Sequence, residues 1–431
     1  MGNADRAARH QAALTPIKAK QDADTVPAGT AGTDTAAAVA AHADTAHAAM
    51  APAGTALLFT PYTLRGLTLR NRVVVSPMCQ YKSDDGAATD WHLVHLGKFA
   101  LGGAGLVFCE ETAVEARGRK TYGCAGMYED RHVAASRRVT DFIHEACAAA
   151  GIQLGHAGRK ASCGPPWTGF RPLTDEDARH GMPPWRGVSA SPLPAKPGAL
   201  VPHEMDAHDI ARMIETWRIA ARRSVDAGFD VCEVHGAHGY LLHQFLSPLA
   251  NRRTDAWGGD LQGRMRLALE IAETVRQEWP VDKPVFFRVS AVDGEGGAWD
   301  MDDTVTLSRA LRERGIDLVT CSSGGIDGPL NMAVVPRTPG YQVPYAARVR
   351  REAGMPSCAV GLITEAAHAE AILREGSADL IALARELMAN PNWPVQAARE
   401  LGVAQPLDLL PDDYAWWLKR REEIRALNAR A

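Results

Sequence analysis

The sequence predicts an α/β protein built as a (β/α)8 TIM barrel, with a long loop insertion after strand 3 and a disordered N-terminal tail. Two regularities carry that expectation. Eight short apolar or β-branched runs recur along the chain, continuously hydrophobic as parallel strands covered on both faces must be. Helical stretches alternate with them. A doubly wound sheet, the alternative, would need a G-x-G-x-x-G turn after an early strand, and none follows the first run.

Residues 1–56 stand apart from this pattern. A stretch such as "AGTAGTDTAAAVAAHADTAHAAMAPAGTA" is almost free of large apolar residues and cannot offset the entropy of its own ordering. It also lacks the apolar core and cleavage site of a secretory signal. The barrel is expected over 57–420, with 421–431 as a C-terminal tail. Its strands are, in order, "RVVVSPM" (72–78), "GLVFCEE" (105–111), "GIQLGHA" (151–157) and "DVCEVHG" (230–236). The second half supplies "PVFFRVS" (284–290), "DLVTCSS" (317–323), "SCAVGLI" (357–363) and "DLIALAR" (379–385). Helices are expected in "DRHVAASRRVTDFIHEACAAA", "HDIARMIETWRIAARRSVDAG", "GRMRLALEIAETVRQEW", "DDTVTLSRALRERG" and "TEAAHAEAILREG", several closed by a glycine. The threonine opening the last one is a suitable N-cap. The insertion, 161–205, is too long and too rich in proline and glycine for a simple turn, which points to a lid or pocket role.

Composition excludes several classes. Over 431 residues, 46% hydrophobic and 23% charged is ordinary for a globular chain, and a net charge of -4 gives no pull toward nucleic acid or an anionic membrane. No apolar run is long enough to span a bilayer. The eight cysteines form no C-x-x-C pair and several lie in apolar runs, so a reducing, cytoplasmic setting is expected.

In a barrel the catalytic mouth is built from strand C-terminal ends. Those ends carry Ser76, Pro77, Met78, Cys79 and Tyr81; then Glu110 and Glu111; then Gln153, His156, Arg159 and Lys160. They continue with His235, His238 and Tyr240, then Arg288, Ser322, Ser323 and Gly324, then Gly361, and finally Arg385. His235 and His238 could be two ligands of a zinc or iron site, for which His156 or a glutamate is the available third. They could equally be structural, or could donate hydrogen bonds to an oxygen that gains charge during reaction. Tyr240 is then a candidate proton donor. Arg385 with Gly361 and the "SSGG" turn fits a phosphate cradle after the last strands. Arg288 and Gln153 can reach a flat, hydrogen-bonding ring over the barrel centre.

Four segments together resemble the old yellow enzyme family of FMN-dependent ene-reductases, in its cysteine-containing bacterial, xenobiotic reductase-like branch. They are "SPMCQY" (76–81), "GIQLGHAGRK" (151–160), "AGFDVCEVHGAHGYLLHQFLSPLANRRTDAWGG" (227–259) and "ADLIALAREL" (378–387). The resemblance implies FMN over the barrel mouth, lined by Ser76, Pro77, Met78 and Cys79, with the backbone of Glu111 beside it. It implies that Gln153, Lys160 and Arg288 serve the flavin ring, and that Ser323, Gly324, Gly361, Ala384 and Arg385 hold its phosphate. His235 and His238 would bind the carbonyl oxygen of an enone-type substrate, with Tyr81 in the same pocket and Tyr240 as proton donor. NADPH or NADH would be the reductant and no metal is implied. Trp417 would reach a neighbouring subunit's pocket, in a homodimer or dimer-based tetramer. Glu111, Ala384, Gly155 and Trp257 depart from the family's usual small residue, glycine, alanine and tyrosine. A non-catalytic flavin-binding barrel and a metal-dependent barrel lyase or hydrolase are the competing functions.

Overall fold

A computed structural model describes residues 56–294, 298–326, 335 and 337–429. Of the tail expected at 1–56, residues 1–55 lie outside the described residues. Eight parallel strands close into a barrel: Val73–Val75, Leu106–Ala113, Ala149–Gly155, Val231–Gly236, Val285–Ser290, Leu318–Ser322, Ser357–Val360 and Leu380–Leu383. Each falls within or overlaps its expected run. The ring closes where Ile381 of the eighth strand pairs with Val73 of the first.

Side-chain alternation divides the core in two. Val73 and Val75 pack outward against the helices, whereas Val74 joins Leu106, Phe108, Val231, Phe286 and Leu318 in the lumen. Leu64 and Leu69, from a hairpin of Tyr62–Leu64 and Leu67–Leu69, pack with this lumen cluster. The lumen is therefore a packed core, and chemistry is left to the opposite rim.

The long helices Ala207–Asp226, Leu261–Glu278 and Met301–Glu313 begin on aspartates whose side chains accept from backbone N–H groups of the first turn. Thr364 does not play that part for its helix. Residue 365 occupies the cap, the helix is Ala366–Arg374, and the Thr364 hydroxyl turns instead toward the Glu365 carboxylate at 3.3 Å. The last helix, Asp412–Asn428, runs through the boundary expected at 420, because nothing in "DDYAWWLKRREEIRALN" breaks it.

One irregularity shapes the rim. Between the second and third strands the register slips, with Phe108 opposite Gly151 but Glu111 opposite Gln153. This bulge inserts an extra residue, so the adjacent Glu110 and Glu111 are both buried.

Candidate active site

The first strand stops at Val75, which frees Ser76 to Tyr81 to turn across the mouth. Glu110 pins that turn: one carboxylate oxygen accepts from Gln80 N at 3.1 Å and the other meets His92 Nε2 at 3.2 Å. Arg288 donates to Ser76 Oγ at 3.1 Å, while its Nε is buried with no partner among the described residues. Gln153 donates to Glu233 at 2.8 Å, and Thr320 donates to the other Glu233 oxygen at 2.8 Å. Burial raises the Glu233 carboxyl above its ordinary range.

The histidines form a directional chain. His235 Nδ1 accepts from Ala237 N at 3.3 Å, so the network assigns the proton to Nε2, which faces His238 Nδ1 at 3.3 Å. His238 Nε2–H then donates to Ser322 Oγ at 2.6 Å. Burial, then the neighbouring histidine and Arg288, holds His235 well below the usual imidazole range. Burial and the cations of Arg288 and Lys160 do the same for His238. Both rings are thus neutral near pH 7. His238 adopts φ +59, held there by Ser290 Oγ, which accepts its N–H at 2.9 Å, and by Lys160, which donates to its carbonyl at 2.8 Å.

Tyr240 stands beside the pair, its ring 5.2 Å from that of His235. It lines a cleft of about 660 Å³ together with Lys120, Arg159, Lys160 and residues of the insertion, among them Cys163, Phe170, Leu173 and Leu200. Tyr81, at φ +57, sets its ring edge-on to Trp167 and Phe170 of the insertion. The insertion is therefore pocket wall. His243, by contrast, is a brace: its Nδ1 accepts from Gly239 N at 2.9 Å and its Nε2 donates to Asp293 at 2.8 Å. His156 is tied to Glu115 at 2.9 Å. No group of three or more possible metal ligands occurs among the described residues.

At the far end of the mouth, Gly361 adopts φ +127, and a Cβ there would press on Tyr341 and Gln342 at 3.0 Å. With its amide oriented to satisfy its neighbours, Gln342 accepts from Ser323 N at 2.8 Å and from both Ser323 Oγ and Ser322 Oγ. Gly324 N donates to Val292 O at 2.8 Å. The Ser323 and Gly324 amides are thus already engaged. Ala384 and Arg385 open the short helix Arg385–Ala389; Arg385 is exposed and makes no ion pair among the described residues. Trp417 lies exposed on the last helix, outside the cleft, edge-on to Trp416 at 4.6 Å.

Sequence reading missed four groups: Lys120, Glu233, Asp293 and Gln342. Glu233 left a trace, since an acid inside the apolar run "DVCEV" is either buried or functional. Lys120 left none. It comes from an irregular loop, yet its ammonium is buried against Glu111.

A family described as NADH:flavin oxidoreductase / NADH oxidase matches residues 57–403. The chain belongs to this family. An NADPH dehydrogenase of Geobacillus sp. (strain WCH70) is 43% identical over 348 residues, covering 80% of this chain and 95% of the relative. Morphinone reductase in complex with tetrahydroNAD superposes with a TM-score of 0.66 at 25% identity, covering 80% of this chain and 91% of that one. The old yellow enzyme homologue of Zymomonas mobilis has the same fold, with a TM-score of 0.65 at 22% identity, covering 83% and 98%. The protein is a flavin oxidoreductase of the old yellow enzyme type, with FMN as cofactor and a nicotinamide nucleotide as reductant. The rim fits that cofactor: Arg288 Nε is buried with no partner among the described residues and would suit the acceptor-rich edge of a flavin, and the exposed Arg385 would suit a phosphate.

Proposed function

We propose that the protein reduces the C=C bond of α,β-unsaturated carbonyl compounds with NADPH or NADH. The observation that carries this is the packing of two neutral imidazoles edge-on to the Tyr240 phenol, which itself lines the cleft at the barrel mouth. FMN, when bound, supplies the hydride chemistry. Arg288, Gln153 and the Ser76–Cys79 turn would hold its ring, and Gly361, Ala384 and Arg385 its phosphate. Ser323 supports the phosphate end through Gln342, and Lys160 acts by clamping the carbonyls of His238 and Gly325.

A substrate oxygen beside Tyr240 takes N–H donors that otherwise run from His235 to His238 and from His238 to Ser322. Neutral donors stabilise the oxygen as enolate charge grows without surrendering a proton. Tyr240 then delivers the proton to the α-carbon. Tyr81, Trp167 and Phe170 enclose the apolar part of the substrate. The large apolar residues exposed on the last helix (Tyr414, Trp416, Trp417, Ile424, Leu427) form the contact of a homodimer or dimer-based tetramer, bringing Trp417 to the partner's pocket. A reducing, cytoplasmic location fits eight cysteines that are all free.

The test is anaerobic mixing of the NADPH-reduced enzyme with cyclohexenone, maleimide and related enones. Reoxidation is expected with at least one, falling on the order of 100-fold or more in His235→Ala/His238→Ala. A protein reduced by NADPH but reoxidised by none of them is a flavin-binding barrel without this activity.

A further inference from the structure

Two buried charges beside Tyr240 are unaccounted for by this mechanism. Lys120 and Glu111 form an ion pair with both side chains at most 3% exposed. Placing such a pair in a core is no route to stability, because the lost hydration rivals the attraction. This pair is also incompletely satisfied, since Glu111 Oε1 has no partner among the described residues. Its housing is specific nonetheless. The strand bulge turns Glu111 inward, and Gly155 makes room for it: a Cβ at 155 would lie 2.4 Å from Glu111 Oε1. The Lys120 main chain is fixed to the insertion, its carbonyl accepting from Cys163 N at 2.8 Å.

The ammonium so held lies 5.2 Å from the centre of the Tyr240 ring, while Lys160 Nζ lies 5.6 Å from the same ring. We propose that Lys120, fixed by Glu111, is a positioning residue for the proton donor: its charge stabilises the phenolate that Tyr240 becomes when it protonates the substrate. This rests on the reading of Tyr240 given above. In the step, the Tyr240 O–H bond breaks, a C–H bond forms at the α-carbon, and the electron pair remains on the phenolate oxygen until water reprotonates it. Burial makes that ionisation costly by pushing the Tyr240 phenol well up, and Lys120 is the largest opposing influence.

The groups around the phenol are few. Cys79 and Tyr81 face it from the first turn, and Glu111, Lys120 and Cys124 from the second strand and the loop behind it. Lys160 faces it from the third-strand loop, and His235 and His238 from its own segment. Burial raises the Cys79 and Cys124 thiols, so they stay protonated, and both histidines are neutral. Lys120 and Lys160 are thus the cations over the Tyr240 ring, Arg159 is a further cation lining the same cleft, and Glu111 is the opposing charge.

The test uses Lys120→Met in the FMN-loaded enzyme, with Lys120→Met/Glu111→Gln as the companion that leaves no unpaired buried charge. Reoxidation by enone is expected to slow about tenfold or more, while reduction by NADPH and the enone KM change less than about twofold. In a Tyr240→Phe background the same substitution is expected to add nothing. A fluorinated tyrosine installed at 240 gives a readout independent of turnover: its fluorine NMR titration midpoint should rise by about one pH unit in Lys120→Met, and Lys120→Arg should restore most of the shift. Unchanged midpoints, or equal slowing of both half-reactions, overturn the role of Lys120. If Tyr240→Phe itself fails to slow reoxidation selectively, the donor assignment is what fails.

Discussion

The brace beneath the catalytic turn makes a quantitative prediction. Asp293 is buried and accepts three hydrogen bonds, from His243 Nε2 at 2.8 Å, Ser247 Oγ at 2.6 Å and Trp299 N at 3.1 Å. His243 and Ser247 are completely buried. Asp293→Ala strands all three donors, and an unsatisfied buried donor costs about 1–3 kcal/mol. The Ser247 hydroxyl can rotate to another acceptor, but His243 Nε2–H and Trp299 N–H cannot. The loss should therefore reach about 3 kcal/mol, read as a lower urea midpoint of the FMN-loaded protein at unchanged slope. Asp293→Asn keeps one acceptor oxygen and should lose about half as much. Because His243 Nδ1 accepts from Gly239 N, between His238 and Tyr240, the alanine variant should also lower kcat/KM for enones while NADPH oxidation changes little. An Asp293→Ala protein as stable as the parent to within about 0.5 kcal/mol would refute the reasoning.

Three further outcomes are expected. Gly239→Ala and Gly259→Ala share φ +72, but a Cβ at 239 would lie 1.9 Å from Gly325 O, whereas nothing stands within 4 Å at 259. Melting curves should show only the backbone penalty of about 1 kcal/mol for Gly259→Ala and a far larger loss for Gly239→Ala; equal losses would remove the close approach as the cause. Arg385→Ala should weaken FMN retention roughly 10- to 100-fold, measured by dialysis against free flavin, since a charged hydrogen bond to phosphate is worth about 1.5–3 kcal/mol; unchanged retention would take Arg385 out of the cradle. Burial, then Lys98 and His92, pulls His95 down to about 4. The unfolded chain takes up that proton below about 6.5 while the folded one resists, so this contribution is complete above about pH 6.5 and is lost as pH falls toward 4, by about 3 kcal/mol. His95→Gln should flatten the stability profile across that window, and an unchanged slope would count against it.

The barrel and the location of its working rim were legible in the residues themselves. Eight apolar runs with helices between them dictate strands buried on both faces, and strand ends dictate where polar side chains can meet. The segments "SPMCQY" and "HGAHGY" stood out because each sets several polar residues at a strand's C-terminal end. Local signals misplaced a helix cap at Thr364, the chain end beyond 420, and the end of the helix read through Ala150, which stops at Glu145 so that Ala149 and Ala150 open the third strand; such boundaries differ by small energies.

The electrostatics of the rim came only from the folded chain. A bulge of one residue turned Glu111 inward, and no pattern of hydrophobicity announces a bulge. The pairing of Glu111 with Lys120 joins a strand to an irregular loop, and the space for it depends on a missing side chain at Gly155 on the next strand. The neutrality of His235 and His238, the engagement of the Ser323 amide by Gln342, and the support of Gly239 by His243 and Asp293 are contacts between segments distant in sequence. Sequence determines which residues reach the mouth, because strand periodicity is local. Their charge states and partners depend on burial and distance, which exist only once the barrel has closed.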